Sequence, residues 1–437
     1  MKTLFITLLL LSSVYCASFY SADLGSKKFA IGSVTNGKVD LVLNEQSKRL
    51  TSTLARYVDG VYSYGDPVQQ SKRAQSFTEF LPWNANSNIS LTTDFLTSIS
   101  EKLPPRSEIT LVVPPTITEE QLHDLAIAIE ASDLTVSEVT YTPLMVALNY
   151  AMYHTQQLSN VTTELQILDV GHTASHLATV EVSYSNFNLM LNMTSVQPFN
   201  FTGKGLSNLI SSKYPNCDAE KMKKSLTNSN TYTEVSENGI VTKVTATAYN
   251  ELILPAFSVL EDLNTTMPMI ITGGASRTRG FKTFLIEKGF TLYNVNVEEA
   301  GALGGALYAA KSISRIKPTV FPKIALPTIN STDVSSLKNF THEASHARKT
   351  LRNYHTIINT VENVTASTGD EKLTIVLDDV TSSWCYDVDC MASAITKLEE
   401  AVQEYLARLK PEDPVEEDII EHNETIHDTE PVFKEDL

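Results

Sequence analysis

The stretch ILDVGHTASHLATV, Ile167–Val180, decides how the rest of the chain is interpreted. An apolar strand runs into Asp169, Gly171 follows almost at once, and a second strand begins after a short turn. This pattern suits phosphate binding, because a glycine lets backbone N–H groups approach phosphate oxygens and the aspartate reaches a magnesium ion or its waters. After the glycine come His172–Ala174, where a phosphate turn favours glycines and a threonine. The stretch therefore predicts a phosphate turn with altered side chains.

The same pattern occurs earlier, in SADLGSKKFAIG, where Asp23 and Gly25 hold the matching places. Each copy opens one half of the chain, and each half continues with further strands and helices. We therefore predict an internal duplication of about 150 residues in which each half is an α/β unit. Two such turns that face each other would clamp a nucleotide between two lobes.

Periodicity and end signals place the main elements of both halves. The run ITLVVPP predicts a buried strand, Thr118 predicts the N-cap of a helix with Glu120 or Gln121 near the capping-box position, and Pro143 opens a second apolar helix. In the second half, residues 164–196 predict three strands and MPMIITGG predicts a fourth. Further helices are predicted around residues 203–214, 245–264, 279–289 and 298–314.

The character of the chain changes near residue 316. Residues 316–335 contain three prolines and predict a linker. Apolar residues then recur every three or four positions from Leu337 to Val361, and again from Met391 to Leu409, which predicts two long helices in a helical domain of residues 336–410. Their apolar seams favour packing against each other in a hairpin or bundle, and a surface for a partner is the alternative.

The two ends of the chain indicate a protein of the secretory pathway. Residues 1–16 have a lysine, an apolar run and small residues near the end, which is typical of a signal peptide. Residues 411–437 carry eleven acidic residues and one lysine, so −10 of the net charge of −17 lies in this tail, which we predict to be disordered. The final KEDL resembles the KDEL signal for retention in the endoplasmic reticulum. The charge argues against a nucleic-acid partner, and no later apolar run is long enough to predict a membrane span.

Sequons and cysteines agree with that compartment. Nine Asn-x-Ser/Thr tripeptides favour a glycosylated protein. They are at Asn88, Asn160, Asn192, Asn200, Asn264, Asn330, Asn339, Asn363 and Asn423. Cleavage after Cys16 would leave three cysteines, too few for a disulfide scaffold. Cys385 and Cys390 could pair in an oxidising lumen, which would leave Cys217 free.

From Phe19 to about Ser314 the motifs follow the order found in the 70-kDa heat-shock chaperone family, which this chain resembles. SADLGSKKFAIG and ILDVGHTASHLATV resemble the two phosphate turns of that family, and FTGKGLSNL is similar to its Gly-Gly segment. MIITGGASRTRGFKTFL resembles the adenosine-binding segment, and VEEAGALGGALYAA resembles the helix that closes the domain. The resemblance implies a two-lobed, actin-like ATPase domain, a duplicated ribonuclease H-like α/β fold, over residues 17–315 with lobes of residues 17–163 and 164–315.

The resemblance also implies a ligand and its site. The ligand would be ATP or ADP with magnesium, and Asp23 and Asp169 would hold the magnesium through its waters. The implied nucleotide-binding residues are Asp23, Gly25, Ser26, Lys27, Asp169, Gly171, Gly203, Gly273, Gly274, Ser276 and Arg277.

Several departures from the family fall on the chemistry of hydrolysis. Thr142 stands before a proline where the family has a glutamate, and His172–Ala174 replace two glycines and a threonine. The paired threonines of the family's first turn are Ser26 and Lys27 here, and Lys72 is only a weak candidate for the catalytic lysine. Because positioned proton-transfer groups contribute about 10²–10⁴-fold to a rate, we expect ATP to bind without efficient hydrolysis.

The architecture departs from the family as well. Only the predicted linker separates the ATPase-like part from the helical domain, so the peptide-binding β-sandwich of the family is missing. The chain most resembles the large, 170-kDa, hypoxia-upregulated class of the endoplasmic reticulum, which is stress-induced. The resemblance implies a co-chaperone that assists protein folding and speeds nucleotide exchange on the conventional lumenal chaperone. The alternatives are a weak ATPase chaperone that uses Asp23, Asp169 and Lys72, and an ATP-independent holdase for unfolded secretory glycoproteins.

Overall fold

The computed structural model describes residues 18–409 except for 59, 66–73, 155–161, 236–237, 240, 330–333, 383–384 and 386. The predicted signal peptide and acidic tail lie outside the described residues, as do Lys72 and the sequons Asn160, Asn330 and Asn423. The chain is a mixed α/β protein, as predicted. The described residues fall into two compact units, the first ending at Lys349 and the second beginning at Thr350.

The first unit contains all the strands of the described residues. They are β1 (Phe19–Leu24), β2 (Lys28–Thr35), β3 (Lys38–Leu41), β4 (Thr51–Ser52), β5 (Leu54–Val58), β6 (Val61–Tyr64), β7 (Gln75–Thr78), β8 (Glu108–Val113), β9 (Thr135–Tyr141), β10 (Thr162–Val170), β11 (Ser175–Ser185), β12 (Asn188–Phe199), β13 (Thr231–Val235), β14 (Val241–Thr245), β15 (Met269–Thr272), β16 (Leu292–Tyr293) and β17 (Lys317–Phe321).

The helices of the described residues are distributed over both units. They are α1 (Ile89–Ser100), α2 (Glu119–Ala131), α3 (Thr142–His154), α4 (Gly203–Lys213), α5 (Ala219–Asn228), α6 (Ala246–Ile253), α7 (Phe281–Glu287), α8 (Ala300–Ala309), α9 (Ser335–Thr368), α10 (Glu371–Ser382) and α11 (Val388–Arg408). Short 3₁₀ segments cover Leu254–Leu260, Gly274–Arg277 and Ala310–Ser312.

Two six-stranded sheets of the first unit have the same core topology. The first has the order β3-β2-β1-β8-β9 with β4 added beside β2, and the second has the order β16-β15-β10-β11-β12-β17. In each sheet three consecutive strands are antiparallel, and the first of them, β1 or β10, also pairs in parallel with a later strand, β8 or β15. The two halves of the chain therefore repeat one strand arrangement.

The local signals in the sequence explain several of these elements. Asn36 and Gly37 both adopt positive φ between β2 and β3, as a tight hairpin turn requires. Thr118 and Gln121 form the capping box at the start of α2, as predicted. Helices α3 and α8 are apolar on most sides, and α3 is almost wholly buried, because it packs between the sheets and against α8.

Part of the predicted linker is a strand instead. Residues Lys317–Phe321 form β17, which pairs in parallel with β12 at the edge of the second sheet. Pro318 and Val320 are buried, whereas Lys317, Thr319 and Phe321 are exposed. The segment therefore has the alternation of a half-buried strand. A proline is tolerated there because an edge strand does not need every N–H for the ladder.

The long predicted helix forms as α9, and its first turns make contacts that the sequence did not indicate. In the first unit, Leu337 packs with Ile127 and Ala131 of α2, and the ring of Phe340 lies 5.7 Å from that of Tyr62. The first turns of α9 therefore pack on α2 and on Tyr62 of β6, in addition to the predicted packing of the two seams on each other. The spacing of apolar residues alone could not reveal this second contact.

A buried ion cluster fixes the same part of α9. The Arg348 guanidinium lies 2.7 Å from an oxygen of Asp94 and 2.9 Å from an oxygen of Glu101, and all three side chains are largely buried. The Tyr64 hydroxyl donates to Asp94 at 2.7 Å. Removing one member of such a cluster typically costs about 3–5 kcal/mol, because it leaves an uncompensated buried charge.

The second unit is helical. Its core combines Val361 of α9, Leu373 and Leu377 of α10 and Leu398 of α11, so the seam of the second predicted helix does pack inside this unit. Helix α10 was not predicted. Cys385 and Cys390 form a disulfide at the start of α11, and Cys217 of the first unit is free.

The remaining sequence expectations concern the surface. Six sequons lie in the described residues, and five of their asparagines are exposed, whereas Asn192 is half-buried with its amide 3.3 Å from Glu181. The exposed five are Asn88, Asn200, Asn264, Asn339 and Asn363. Among the described helices, none combines the length and apolar character needed to cross a membrane.

Candidate functional site

One cavity of about 490 Å³ in the first unit collects most of the residues assigned from the sequence. Its volume lies within the ~300–1,000 Å³ typical of small-molecule sites. The assigned residues that line it are Asp23, Gly25, Ser26, Lys27, Asp169, Gly171, Gly203, Gly273, Gly274 and Arg277. Ser276 is buried beside the cavity and donates its hydroxyl to the Gly273 carbonyl at 2.6 Å. Lys72 cannot be assigned a place, because it lies outside the described residues.

The two predicted phosphate turns have matching backbones. Asp23 is the penultimate residue of β1, Asp169 is the penultimate residue of β10, and a glycine follows the end of each strand. A Cβ on Gly25 would collide with the Lys28 carbonyl, and a Cβ on Gly171 would collide with the Ala174 carbonyl three residues further on. Both turns therefore require glycine for the same reason, a close approach of the backbone to itself.

A third glycine closes the inner wall of the cavity. Gly273 has φ of 84°, follows β15, and donates its N–H to the Val297 carbonyl at 2.8 Å. Any side chain there would overlap the Asp169 carboxylate and the Val170 carbonyl. The parallel pairing of β10 and β15 thus brings the segment that begins at Gly273 directly against the second turn.

The two aspartates are poorly solvated. Burial, with the charge of Asp169 as a smaller cause, raises the pKa of Asp23 to about 7. Burial likewise raises the pKa of Asp169, and nearby His176 partly opposes that rise. A Cβ on Gly301 of α8 would overlap the Asp23 carboxylate, so the backbone of this helix lies in direct contact with that carboxylate. Asp23 is consequently only partly charged at neutral pH.

His176 lies beneath the second turn. Its side chain is buried, and its Nε2 lies 3.5 Å from an oxygen of Asp169. Neither ring nitrogen has a hydrogen-bond partner within the described part of the chain. Burial lowers the pKa of His176, while the Asp169 charge acts in the opposite direction, so a neutral imidazole is favoured.

Side chains of the two turns meet across the cavity. The hydroxyl oxygens of Ser26 and Thr173 are 2.6 Å apart. Each also lies within hydrogen-bond distance of the Asn84 amide oxygen, at 2.8 Å for Ser26 and 3.0 Å for Thr173. The gap between the turns is therefore bridged by the protein's own polar groups.

The start of α4 is bound to the second turn. The N–H groups of Gly203 and Lys204 donate to the carbonyls of Gly171 and His172 at 2.9 and 2.7 Å. The N-cap Thr202 accepts from the Gly205 N–H at 3.0 Å. These N–H groups, which would otherwise suit an anion at a helix N-terminus, are already used.

His172 fills the space next to these contacts. Its Nδ1 lies 3.3 Å from the position that a Cβ on Gly203 would take, and its Nε2 is 3.6 Å from Glu79. Burial, helped by the charge of Lys27, lowers the pKa of His172 to about 4. The imidazole is therefore neutral at physiological pH and offers no fixed positive charge to a phosphate.

Two carboxylates form ion pairs across the cavity, and neither was identified from the sequence. Glu220 of α5 lies 2.6 Å from the Lys27 ammonium and 2.7 Å from that of Lys223. Glu298 lies 3.1 Å from Lys28 and 2.6 Å from Arg277. Each carboxylate joins one lysine of the first turn to a cation from the second half of the chain.

A local signal could have located the first of these carboxylates. Asp218 caps α5 by accepting N–H groups of Glu220 and Lys221, and Glu220 and Lys223 are three residues apart on one helical face. An Asp followed by a short amphipathic run is a recognisable helix start. No local signal could have identified Glu298 as the partner of Lys28.

Thr142 is the residue for which the resemblance found in the sequence implies a glutamate. It lines the cavity, and its hydroxyl donates to the Val113 carbonyl at 3.1 Å. Its hydroxyl is thus tied to the backbone, and it is no substitute for a carboxylate that would orient water. Among the described residues, no group of three or more His, Cys, Asp or Glu side chains is placed to hold a metal ion directly.

No family model matches this chain, and no curated protein matches it. Function must therefore be inferred from the geometry of the cavity and from the motifs that line it.

Proposed function

We propose that this chain is an adenine-nucleotide-binding co-chaperone of the endoplasmic reticulum lumen, built on the two-lobed, actin-like fold of the 70-kDa heat-shock family. The observation that carries the proposal is the convergence of distant motifs on one cavity: ten of the residues assigned from the resemblance come from four separate segments and line the same 490 Å³ space. The repeated strand order of the two sheets supports the actin-like part of the proposal.

The residues present fit an adenine nucleotide. Three glycines, Gly25, Gly171 and Gly273, keep the backbone close to the cavity, and Arg277 and the first-turn lysines provide cations. Asp23 and Asp169 would hold magnesium through its waters. Magnesium when bound would supply charge neutralisation of the phosphates.

Efficient hydrolysis is not part of the proposal. Thr142 replaces the family's glutamate and its hydroxyl is already donated to the backbone. Neutral His172 cannot stabilise developing negative charge as a cation would. The loss of a positioned proton-transfer group removes about 10²–10⁴-fold of rate, or roughly 3–5 kcal/mol of transition-state stabilisation.

The proposed partner is the conventional lumenal 70-kDa chaperone, with unfolded secretory proteins as further candidates. The signal-like start, the sequons and the KEDL terminus support the endoplasmic reticulum as the compartment. With β17 paired into the second sheet, even less chain is left between the α/β part and α9 than the sequence indicated. A peptide-binding β-sandwich does not fit there, which favours an exchange factor of the hypoxia-upregulated class over a peptide-gripping chaperone.

The experiment that tests the proposal is release of labelled ADP from the conventional lumenal chaperone, with and without the full glycosylated protein. We expect release to accelerate by about tenfold or more, which corresponds to a release barrier lower by about 1.4 kcal/mol. A rate that stays unchanged at micromolar protein would overturn the exchange function. Hydrolysis of ATP by the protein alone, measured in parallel, should stay at background.

A further inference from the structure

The cations of the cavity already have anionic partners within the protein. Glu220 holds Lys27 and Lys223 at 2.6 and 2.7 Å, and Glu298 holds Lys28 and Arg277 at 3.1 and 2.6 Å. A phosphate chain that used these four cations would have to displace two carboxylates. The carboxylates would also repel it, because like charges at short range in a partly desolvated cavity are costly.

Glu220 stays charged over the whole accessible pH range. Burial alone would raise its pKa, but hydrogen bonds from Lys223, Lys27 and Ser207 outweigh burial and lower the pKa to about 2. The Ser207 hydroxyl donates to it at 2.5 Å, and Lys223 also donates to the Gly203 carbonyl at 2.8 Å. The competing carboxylate is thus fixed by several contacts.

The neutral donors that suit phosphate oxygens are used as well. The N–H groups of Gly203 and Lys204 donate to the second turn, and the hydroxyls of Ser26 and Thr173 bridge the turns together with Asn84. Both the charged and the neutral contacts of a polyphosphate therefore have internal substitutes.

We propose that the cavity discriminates among adenine ligands by the number of their phosphates, so that affinity falls from adenosine to ADP to ATP, and that Glu220 is the main determinant of this order. This inference rests on the proposed adenine-nucleotide site and specifies which form of the nucleotide that site accepts. Glu220 acts as an internal competitor for the phosphate groups, since it pairs with Lys27 of the first turn and with Lys223 of α5.

The test is calorimetric titration of adenosine, ADP and ATP into the full chain in buffer with magnesium. For the natural protein we expect ATP to bind at least about tenfold more weakly than adenosine. In Glu220→Gln the ammonium groups of Lys27 and Lys223 lose their anionic partner, so ATP affinity should rise by about tenfold while adenosine affinity stays within about twofold. Glu261→Gln is the matched control, because it removes a surface Lys–Glu pair of 2.9 Å, with Lys288, away from the cavity.

The outcomes separate this inference from the function on which it rests. If ATP binds the natural protein most tightly and Glu220→Gln brings no gain, the discrimination is overturned while the nucleotide site stands. If none of the three ligands binds either protein, the nucleotide site itself is overturned, and the discrimination with it. If Glu220→Gln does not fold, the affinities of the natural protein for the three ligands still test the discrimination. An ATP affinity equal to or higher than the adenosine affinity would overturn it.

Discussion

The first turn, Gly25–Lys28, and the second turn, Gly171–Ala174, share a backbone and differ in almost every side chain. The first carries two lysines that reach across the cavity to Glu220 and Glu298, whereas the second carries a neutral histidine and an alanine. Their glycines are required by the same close approach to a carbonyl three residues ahead.

The difference indicates that different residues determine the conformation of a turn and its chemistry. A strand–Asp–x–Gly turn depends on one glycine and on strand pairing, so the same backbone can carry different side chains. Charge and proton transfer depend on side chains that the turn conformation does not constrain. The second turn therefore has the backbone of the first, with side chains that make contacts inside the protein.

The largest expected effect tests whether the two turns have equivalent backbones, by replacing the glycine of each turn with alanine. Gly25→Ala and Gly171→Ala should each lower the free energy of unfolding by about 3 kcal/mol, because the added Cβ meets a backbone carbonyl that cannot move aside without disturbing the strand pair. Urea unfolding measures both. Gly37→Ala is the control: its φ is positive but nothing lies near its Cβ position, so it should cost only about 1 kcal/mol. A large cost at one turn and a small cost at the other would show that the two backbones are not equivalent.

The next prediction concerns the charge beneath the first turn. The unfolded Asp23 carboxyl has an ordinary pKa of 3.8, and burial raises the folded pKa to about 7. Between those values the folded state keeps a proton that the unfolded state has lost, so the free energy of unfolding falls as pH rises from about 4 to 7. Asp23→Asn removes this loss and should raise the stability at pH 8 by about 2 kcal/mol.

Urea unfolding of Asp23→Asn across this pH range provides the measurement. The control is Asp262→Asn, which removes an exposed carboxyl far from the cavity and should leave the pH profile unchanged. An Asp23→Asn profile parallel to that of the natural protein would mean that Asp23 is ionised without cost in the folded state. In that case the floor of the cavity would carry more negative charge than the burial of Asp23 indicates.

Much of the first unit could be predicted because its signals are local. The capping box at Thr118 and the Asn36–Gly37 turn each involve only neighbouring residues, and each is present as expected. The two Asp-x-Gly turns could likewise be located from strand endings alone. Helix α10 was not predicted, although five of its twelve residues are apolar.

The contacts that give the cavity its character could not be predicted in the same way. Lys28 and Glu298 are 270 positions apart in the sequence, and only the pairing of strands in three dimensions brings them together. The packing of Leu337 on α2 and the strand β17 have the same origin, since both depend on which surface of the fold is left uncovered. Periodicity indicates which face of an element is buried, but not what buries it.

The second turn should show the opposite pH dependence from the first. Burial, together with the charge of Lys27, lowers the pKa of His172 from 6.5 to about 4. Between those values the unfolded state holds a proton that the folded state lacks, so this contribution to the free energy of unfolding rises with pH and is lost as pH falls from about 6.5 to 4. His172→Gln should therefore raise the stability at pH 5 by about 1 kcal/mol relative to pH 8. His123→Gln, at an exposed position of α2, should not change the profile in unfolding measurements.

The smallest expected effect tests how the two turns are joined. Three contacts connect the oxygens of Ser26, Thr173 and Asn84, but the two hydroxyls supply only two protons, so only two of the three contacts are hydrogen bonds at one time. When either hydroxyl is removed, the other can still donate to Asn84. Ser26→Ala and Thr173→Val should therefore each cost about 0.5–1 kcal/mol and be additive in the double variant.

A double-mutant cycle in urea unfolding measures that additivity. A coupling energy below about 0.5 kcal/mol is expected, and it would mean that each turn is bound independently to Asn84. A coupling of about 1 kcal/mol would mean that the turns bind chiefly to each other, because both single variants would then break the same hydrogen bond. The second result would mean that the hydrogen bond between Ser26 and Thr173 joins the two turns directly. That hydrogen bond would have to break before a phosphate could lie between the turns.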